Sequence, residues 1–443
     1  MLRKGIFAFV FIAGGVLGAT IQVPGDQSTI QAGIDAVAAG DTVLVASGTY
    51  RGAANKNLDF GGIDRVLRSQ AGADSTVIDC EGEGRGLYLH RGESVASVIE
   101  GFTIENGSVS DDGGGIHLAS CSPTLRKCTV RGNVAIQKGG GIYCSSADPT
   151  LSECVLSGNA ADQGGGLYGT YADPSVTDCE ITDNTSSDYG GGIYGYYLQM
   201  VMSGSSVKGN VADSYGGGLY CNQSDAQLID CTITENSGRS GGGMYCFGGA
   251  STLENCSVTD NLGTGGGGLY WVAAEGALTG CTISGNEGAS FGGGVVCVNC
   301  SPSVTECRIS ENEAGSQGGG VYCAEASPVV VQCTISENQG TYGGGVYCTG
   351  SSSPSLTGCV IQANSSTTVW GNGGGSTVEK RPAPFWTIVP SSRMWRSDQE
   401  VGSTARSPPG RSSAHVRSRT TPPTAKEEAS IAKMAGSNFA TVR

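Results

Sequence analysis

The sequence predicts an all-β fold, a parallel β-helix with a short helix capping its N-terminal end, and three observations carry that expectation. Triple glycines begin at Gly113, Gly139, Gly164, Gly190, Gly216, Gly241, Gly266, Gly292, Gly318 and Gly343, 25 or 26 residues apart throughout. A second landmark, C-x-(I/V/L)-x-x-N, keeps step with them and ends at Asn133, Asn159, Asn184, Asn210, Asn236, Asn261, Asn286, Asn312, Asn338 and Asn364. Between the landmarks like residues sit two apart, as in Ile142-Tyr143-Cys144 and Cys154-Val155-Leu156, the alternation of a strand.

A fixed period of this length belongs to a solenoid or a propeller. A propeller blade needs about 40 residues, and no copy holds ten residues free of glycine or turn formers, which excludes a helical repeat. What remains is one β-helix coil per copy. Its length suits three short strands of about 4–6 residues, stacked at about 4.8 Å per rung.

The paired landmarks resemble the repeats of right-handed parallel β-helices of the pectin-lyase-like superfold. More narrowly, GG-x-(I/L/V) with a downstream x-x-N is similar to polymorphic outer membrane protein repeats. Gly-Gly-Gly-Ile at 139 to 142 carries the first half. The second half departs, because that family favours Phe where this chain has Cys; only Phe102 in GFTIENG keeps the aromatic. The resemblance covers roughly residues 20 to 375 and implies a right-handed coil and a place at the cell surface or outer membrane. It does not imply an activity, since the superfold hosts lyases, hydrolases, adhesins and inert spacers.

The chain in order begins with a secretory signal over residues 1–19. Arg3 and Lys4 precede an apolar run from Ile6 to Val16, too short to span a membrane. The mature chain is therefore expected outside the cell, secreted or on the outer surface. Residues 20–110 read as a cap and irregular first rungs. Ser28 and Gln31 form a candidate capping box, Ile30, Ile34 and Val37 share a helical face, and Gly40 can end the helix. Such a helix covers the open end of the sheets and opposes end-to-end association, which predicts a monomer. TVIDC at 76 and GLYLH at 86 read as early rungs, and residues 111–375 as the regular array.

The tail, residues 376–443, has no cysteine, seven of the fourteen prolines, and 11 Lys and Arg against 5 acids. It is expected to be disordered. The genetic code offers a reason. With each codon's third base read with the next codon's first two, Phe385-Trp386-Thr387 must give Leu-Asp and Met394-Trp395 must give Val. Residues 399–405 and 426–432 then permit GGGIYC. The tail thus reads as the same repeat in a shifted frame, arising near Gly375; coding DNA whose other frame lacks GGGIYC excludes this.

Formal charge is −14 overall, and with the basic tail set aside the remainder is more acidic still. An acidic surface opposes nucleic acid and anionic membrane as partners. Eighteen cysteines would suggest a disulfide framework in an exported chain. Nine of them, however, fill one repeat position (Cys128, Cys154, Cys179, Cys231, Cys256, Cys281, Cys307, Cys333, Cys359, with Ser205 in the gap), and six follow the glycines. Stacked positions predict ladders of small buried side chains, with pairing between neighbours as the alternative. No Cys and His spacing of a metal site accompanies them. The asparagines predict an amide ladder, each residue also tolerating a left-handed turn.

Candidate functional residues fall into three groups. Alternation puts Tyr143, Tyr168, Tyr194, Tyr220, Tyr245, Tyr270, Tyr322 and Tyr347 outside one sheet, where they either form a groove for a glycan or protein or only stabilise the sheet by stacking. Acidic rows (Glu153, Asp178, Asp230, Glu306; Asp183, Glu235, Asp260, Glu311, Glu337) are a candidate Ca²⁺ surface or a solvated face. Asp111, Asp112 and His117 are the one constellation for general acid–base chemistry. Hydrolases of the superfold use clustered Asp with His and Arg-x-Lys, and its lyases use Arg or Lys with Ca²⁺-binding carboxylates. The expectation is a non-catalytic binding or adhesion protein without a cofactor. The alternatives are a polysaccharide lyase or glycoside hydrolase, and a passive spacer.

Overall fold

A computed structural model describes residues 18–367 of the 443. The signal-like residues 1–17 and the tail from Ser376 lie outside the described residues. From Thr20 to Ser366 the chain winds into a parallel β-solenoid of four sheets containing, in the order the chain visits them, 11, 14, 13 and 11 strands. Each strand pairs in parallel with the strand one period on, as Ile142 with Leu167, Leu151 with Val176, Leu156 with Ile181 and Ala160 with Thr185.

Each coil therefore has four short strands, not the three expected. In the copy from Gly139 they are Ile142–Ser145, Thr150–Ser152, Val155–Ser157 and Ala160–Gln163, which belong to sheets 1 to 4 in that order. Four strands fit because each corner is turned by about one left-handed residue: Ser146, Glu153, Gly158 and Gly164 have φ of 47°, 51°, 60° and 65°. Such a corner uses almost no chain. The acidic rows are explained by the same geometry, since Glu153, Asp178, Asp183 and Asp230 occupy left-handed corners (φ 50–55°).

The glycine triplet answers two needs. Gly139 turns a corner at φ 65°. Gly141 lets rungs approach: a Cβ there would lie 2.5 Å from the Gly166 carbonyl oxygen and 3.0 Å from Asn159 Nδ2.

The interior is filled by the alternate residues of sheets 1 to 3. Ile142, Cys144, Leu151, Cys154 and Leu156 are buried, and their counterparts repeat through one continuous core. Phe102 heads the cysteine ladder, fully buried. All eighteen thiols are free, and every one but Cys359 is buried. Stacking accounts for this: parallel Cα–Cβ vectors keep neighbouring Cβ atoms about 4.8 Å apart, beyond the roughly 3.5–4.5 Å of a disulfide.

The asparagines form the expected ladder but are not the left-handed residues, which precede them. Asn159 Nδ2 donates to Asn184 Oδ1 (3.0 Å) and to the Val130 carbonyl (2.9 Å), while the same Oδ1 accepts the Asn159 backbone N–H (3.0 Å). Repeated from Asn133 to Asn364, this satisfies polar groups that the corner between sheets 3 and 4 would strand.

At the N-terminal end, α1 (Ile30–Ala36) packs against the first two strands, Thr20–Val23 and Thr42–Val45, with Ile30 and Ile34 in the core. Its cap differs from the expected box. Thr29 is the N-cap, its Oγ1 accepting from the Ala32 N–H, and Val37 ends the helix. Gln31 instead braces a later turn, donating to the Asp59 carbonyl and accepting its N–H, both at 3.0 Å. The early stretches are less irregular than expected: Thr76–Asp79 and Leu87–Leu89 already belong to sheets 3 and 1. No helix among the described residues is long and apolar enough to cross a membrane.

Candidate functional site

The outer side of sheet 1 carries the eight tyrosines where alternation puts them. They stack rung on rung, with ring centroids 5.5 Å apart for Tyr143–Tyr168, 4.8 Å for Tyr168–Tyr194, 5.1 Å for Tyr194–Tyr220 and 5.4 Å for Tyr220–Tyr245. The row continues through Tyr270, is interrupted by Val296, and resumes at Tyr322 and Tyr347.

Of the two arrangements that alternation allows, an open groove and a stack that stabilises its sheet, the rings adopt the stack. Tyr168, Tyr194, Tyr220, Tyr322 and Tyr347 are buried, and Tyr143, Tyr245 and Tyr270 half-buried. A second row from sheet 4 covers the first, Tyr189 lying 4.9 Å from Tyr220 and Tyr215 4.8 Å from Tyr245. Lys138 Nζ sits 5.1 Å from the Tyr168 ring centre. Burial pushes the Tyr194, Tyr270 and Tyr322 phenols up to about 12. Most of the aromatic surface is thus in contact with other rings, an arrangement that stiffens the sheet.

The same row extends towards the N-terminus through His117 and Tyr88. His117 lies 4.8 Å from the Tyr143 ring and 5.0 Å from Tyr88. Its Nδ1 is 3.2 Å from the Asp112 carbonyl oxygen, which can only accept. The proton is therefore on Nδ1, leaving Nε2 its lone pair. Burial holds the imidazole below its ordinary value, opposed by that hydrogen bond.

The structure brings Asp111, Asp112 and His117 together, but the carboxylate of Asp111 is engaged elsewhere. Asp111 pairs with Arg85 at 2.6 Å, and Arg85 also lies over the Tyr88 ring at 5.1 Å. Burial raises the Asp112 carboxyl, and the Lys138 charge opposes the shift. Three buried polar atoms around this cluster, Arg85 Nε, His90 Nδ1 and Asp112 Oδ1, have no hydrogen-bond partner.

A third place was not singled out in the sequence. Tyr171 and Tyr197 stand at the corner between sheets 1 and 2, 60% and 46% exposed. Their rings stack at 5.3 Å and 7°. Tyr196 meets both edge-on, 5.7 Å from Tyr171 and 4.7 Å from Tyr197. Both corner tyrosines are left-handed, at φ 48°, which costs an L-residue about 1 kcal/mol. The signal was available: other rungs put Ser146, Gln223, Ala273 and Asn299 at this corner, so two consecutive tyrosines break the repeat without a structural need.

Among the described residues no group of three or more His, Cys, Asp or Glu side chains is placed to hold a metal ion. The acidic rows run along two corners and do not converge.

A parallel four-sheet coil with stacked asparagines and an aromatic outer face defines the class as β-solenoid. The chain belongs to the right-handed β-helix family, whose family description is a right handed beta helix region. Two overlapping matches, residues 114–274 and 217–381, cover more than half of the sequence. Among solved structures it is similar to pectate lyase Pel9A (13% identity over 81% of each chain, TM-score 0.32). It is also similar to the A-module of the Azotobacter vinelandii mannuronan C-5 epimerase AlgE6 (13% identity, 76% of this chain and 95% of that one, TM-score 0.33). A third likeness is to the receptor binding domain of the Siphovirus 9NA tailspike (10% identity, 82% and 78%, TM-score 0.26). These likenesses concern the fold alone. No curated protein matches the sequence.

Proposed function

We propose that this chain is an exported, non-catalytic binding protein that holds its ligand, a glycan or a protein, at the corner formed by Tyr171, Tyr196 and Tyr197. The observation that carries the reading is the placement of two exposed aromatic rings in a left-handed conformation that disfavours them. Neighbouring rungs turn the same corner with Ser146 and Gln223. Exposed stacked tyrosines offer flat apolar area and a polar tip at low entropy cost, the usual material of binding hot spots. Export rests on the apolar segment that follows Arg3 and Lys4.

The test uses the full chain on a glycan array and a panel of extracellular proteins, with and without Ca²⁺, beside assays for reducing sugar and unsaturated product. Binding without turnover, lost in Tyr171→Ser with Tyr197→Gln, is the expected result. Those replacements copy the corner residues of adjacent rungs, so the fold should persist.

One observation favours a second reading, catalysis on a polysaccharide. Unpartnered buried polar atoms and shifted titrations gather at functional sites, and both occur around Asp112 and His117. Turnover abolished by Asp112→Asn would put this reading first.

A further inference from the structure

We infer that the tyrosine corner selects uncharged, gluco-configured glycans and rejects acidic polyuronates, an inference that rests on the binding role of that corner. The aromatic geometry sets the sugar face. Tyr171 and Tyr197 are parallel within 7° and consecutive along the solenoid axis, and the flanking corner positions, Ser146 and Gln223, carry no ring. The outer face of Tyr171 is therefore open, in keeping with its 60% exposure. Tyr196, edge-on to both rings, holds the pair upright.

A pyranose with all its substituents equatorial presents only axial C–H bonds to such a ring. An axial hydroxyl, as at C4 of galacturonate, interrupts that face.

Charge decides between neutral and acidic chains. Asp148 and Asp173 lie two residues beyond Ser146 and Tyr171 on the same edge, both exposed. They belong to adjacent rungs, the Asp173 N–H donating to Asp148 Oδ1 at 2.8 Å. Asp225 repeats the arrangement two rungs on, accepting from the Ala250 N–H at 2.7 Å. A polyuronate would bring a carboxylate with every sugar to within a screening length, about 8–10 Å, of this row, on a chain of formal charge −14. A neutral chain meets carboxylates that accept from its hydroxyls.

The experiment is affinity electrophoresis of the full chain through gels containing hydroxyethylcellulose, polygalacturonate or alginate, at low and physiological salt, with soluble chitin oligosaccharides as competitors. Retention is expected on the neutral polymer and competed by the chitin oligosaccharides. Polyuronate retention should be at least about tenfold weaker and should rise in Asp148→Asn with Asp173→Asn. Tyr171→Ser with Tyr197→Gln should weaken neutral retention about tenfold, and Tyr171→Phe should preserve it; thermal unfolding run in parallel shows that each variant is folded. Equal or stronger retention on polyuronate, or neutral retention indifferent to the tyrosine variants, overturns the inference. Tyrosine-dependent binding to an acidic glycan or a protein overturns it while leaving the binding role intact. Absence of any tyrosine-dependent binding removes both.

Discussion

Asn210 gives its backbone N–H and its side-chain amide to one atom, Oδ1 of Asn236, both at 3.0 Å, in a site closed to solvent. Asn236 in turn donates to the Val207 carbonyl (2.9 Å) and to Asn261 Oδ1 (3.0 Å). Replacing Asn236 with Ala leaves the Asn210 backbone N–H and one of its side-chain N–H groups without their acceptor in the interior. With each orphan costing about 1–3 kcal/mol, the expected local loss is roughly 2 kcal/mol or more. Because solenoid repeats open semi-independently, the measurement is hydrogen exchange by rung. Faster exchange of the Asn210 amide, whose acceptor is Asn236 Oδ1, is expected, and unchanged protection there would remove the ladder's stabilising role.

The stacked tyrosines should be visible in a spectrophotometric titration. Burial raises Tyr194, Tyr270 and Tyr322 to about 12, above the unfolded value near 10. A phenol raised in the fold contributes stability fully present below pH 10 and lost as pH rises through its folded value. The row should therefore ionise together with unfolding, in the region of pH 11 to 12. Smooth ionisation of all sixteen tyrosines near pH 10, with circular dichroism unchanged, would contradict the burial described.

His117 should titrate below 6.5, held down by burial. Between its folded value and 6.5 the unfolded chain binds more protons, so stability is complete above 6.5 and falls as pH is lowered through that window. The Asp112 charge opposes the depression, so Asp112→Asn should move the midpoint lower still. Following the His117 ring proton by NMR decides it; a higher midpoint in the variant would show that the two do not face each other.

Thiol chemistry tests the interior. Burial pushes Cys80 and Cys121 up to about 12 and Cys144 higher, and the thiolate is the reactive form. Of the 18 cysteines only Cys359 is half-buried. Native protein should react with a thiol reagent at one site at most, and denatured protein at 18 without a reductant. A denatured count well below 18 would mean that rungs are cross-linked.

Much of this was legible before any coordinates. A period of 25 or 26 residues with two landmarks in step leaves a chain one regular way to bury its alternating residues, and that way is a parallel coil. The inward Ile142, Cys144, Cys154 and Leu156, the asparagine ladder and a short helix near the N-terminus followed from local patterns: alternation, a recurring polar residue, a short amphipathic run. The fourth strand did not follow, because a one-residue left-handed corner such as Glu153 leaves no mark in composition. For the same reason the acidic rows resembled a surface motif when they were corners.

The sequence by itself determined which residues stack, since stacking repeats with the period. Only the tertiary structure decided which stacked rings remain open to solvent. Tyr220 and Tyr171 are both tyrosines that stack on a tyrosine of the next rung, yet the first lies under Tyr189 and Tyr215 from another sheet and the second stands with Tyr196 and Tyr197 at an exposed corner. Exposure depends on what the rest of the coil lays across a position, and that contact joins residues of different strands, where no periodicity reaches.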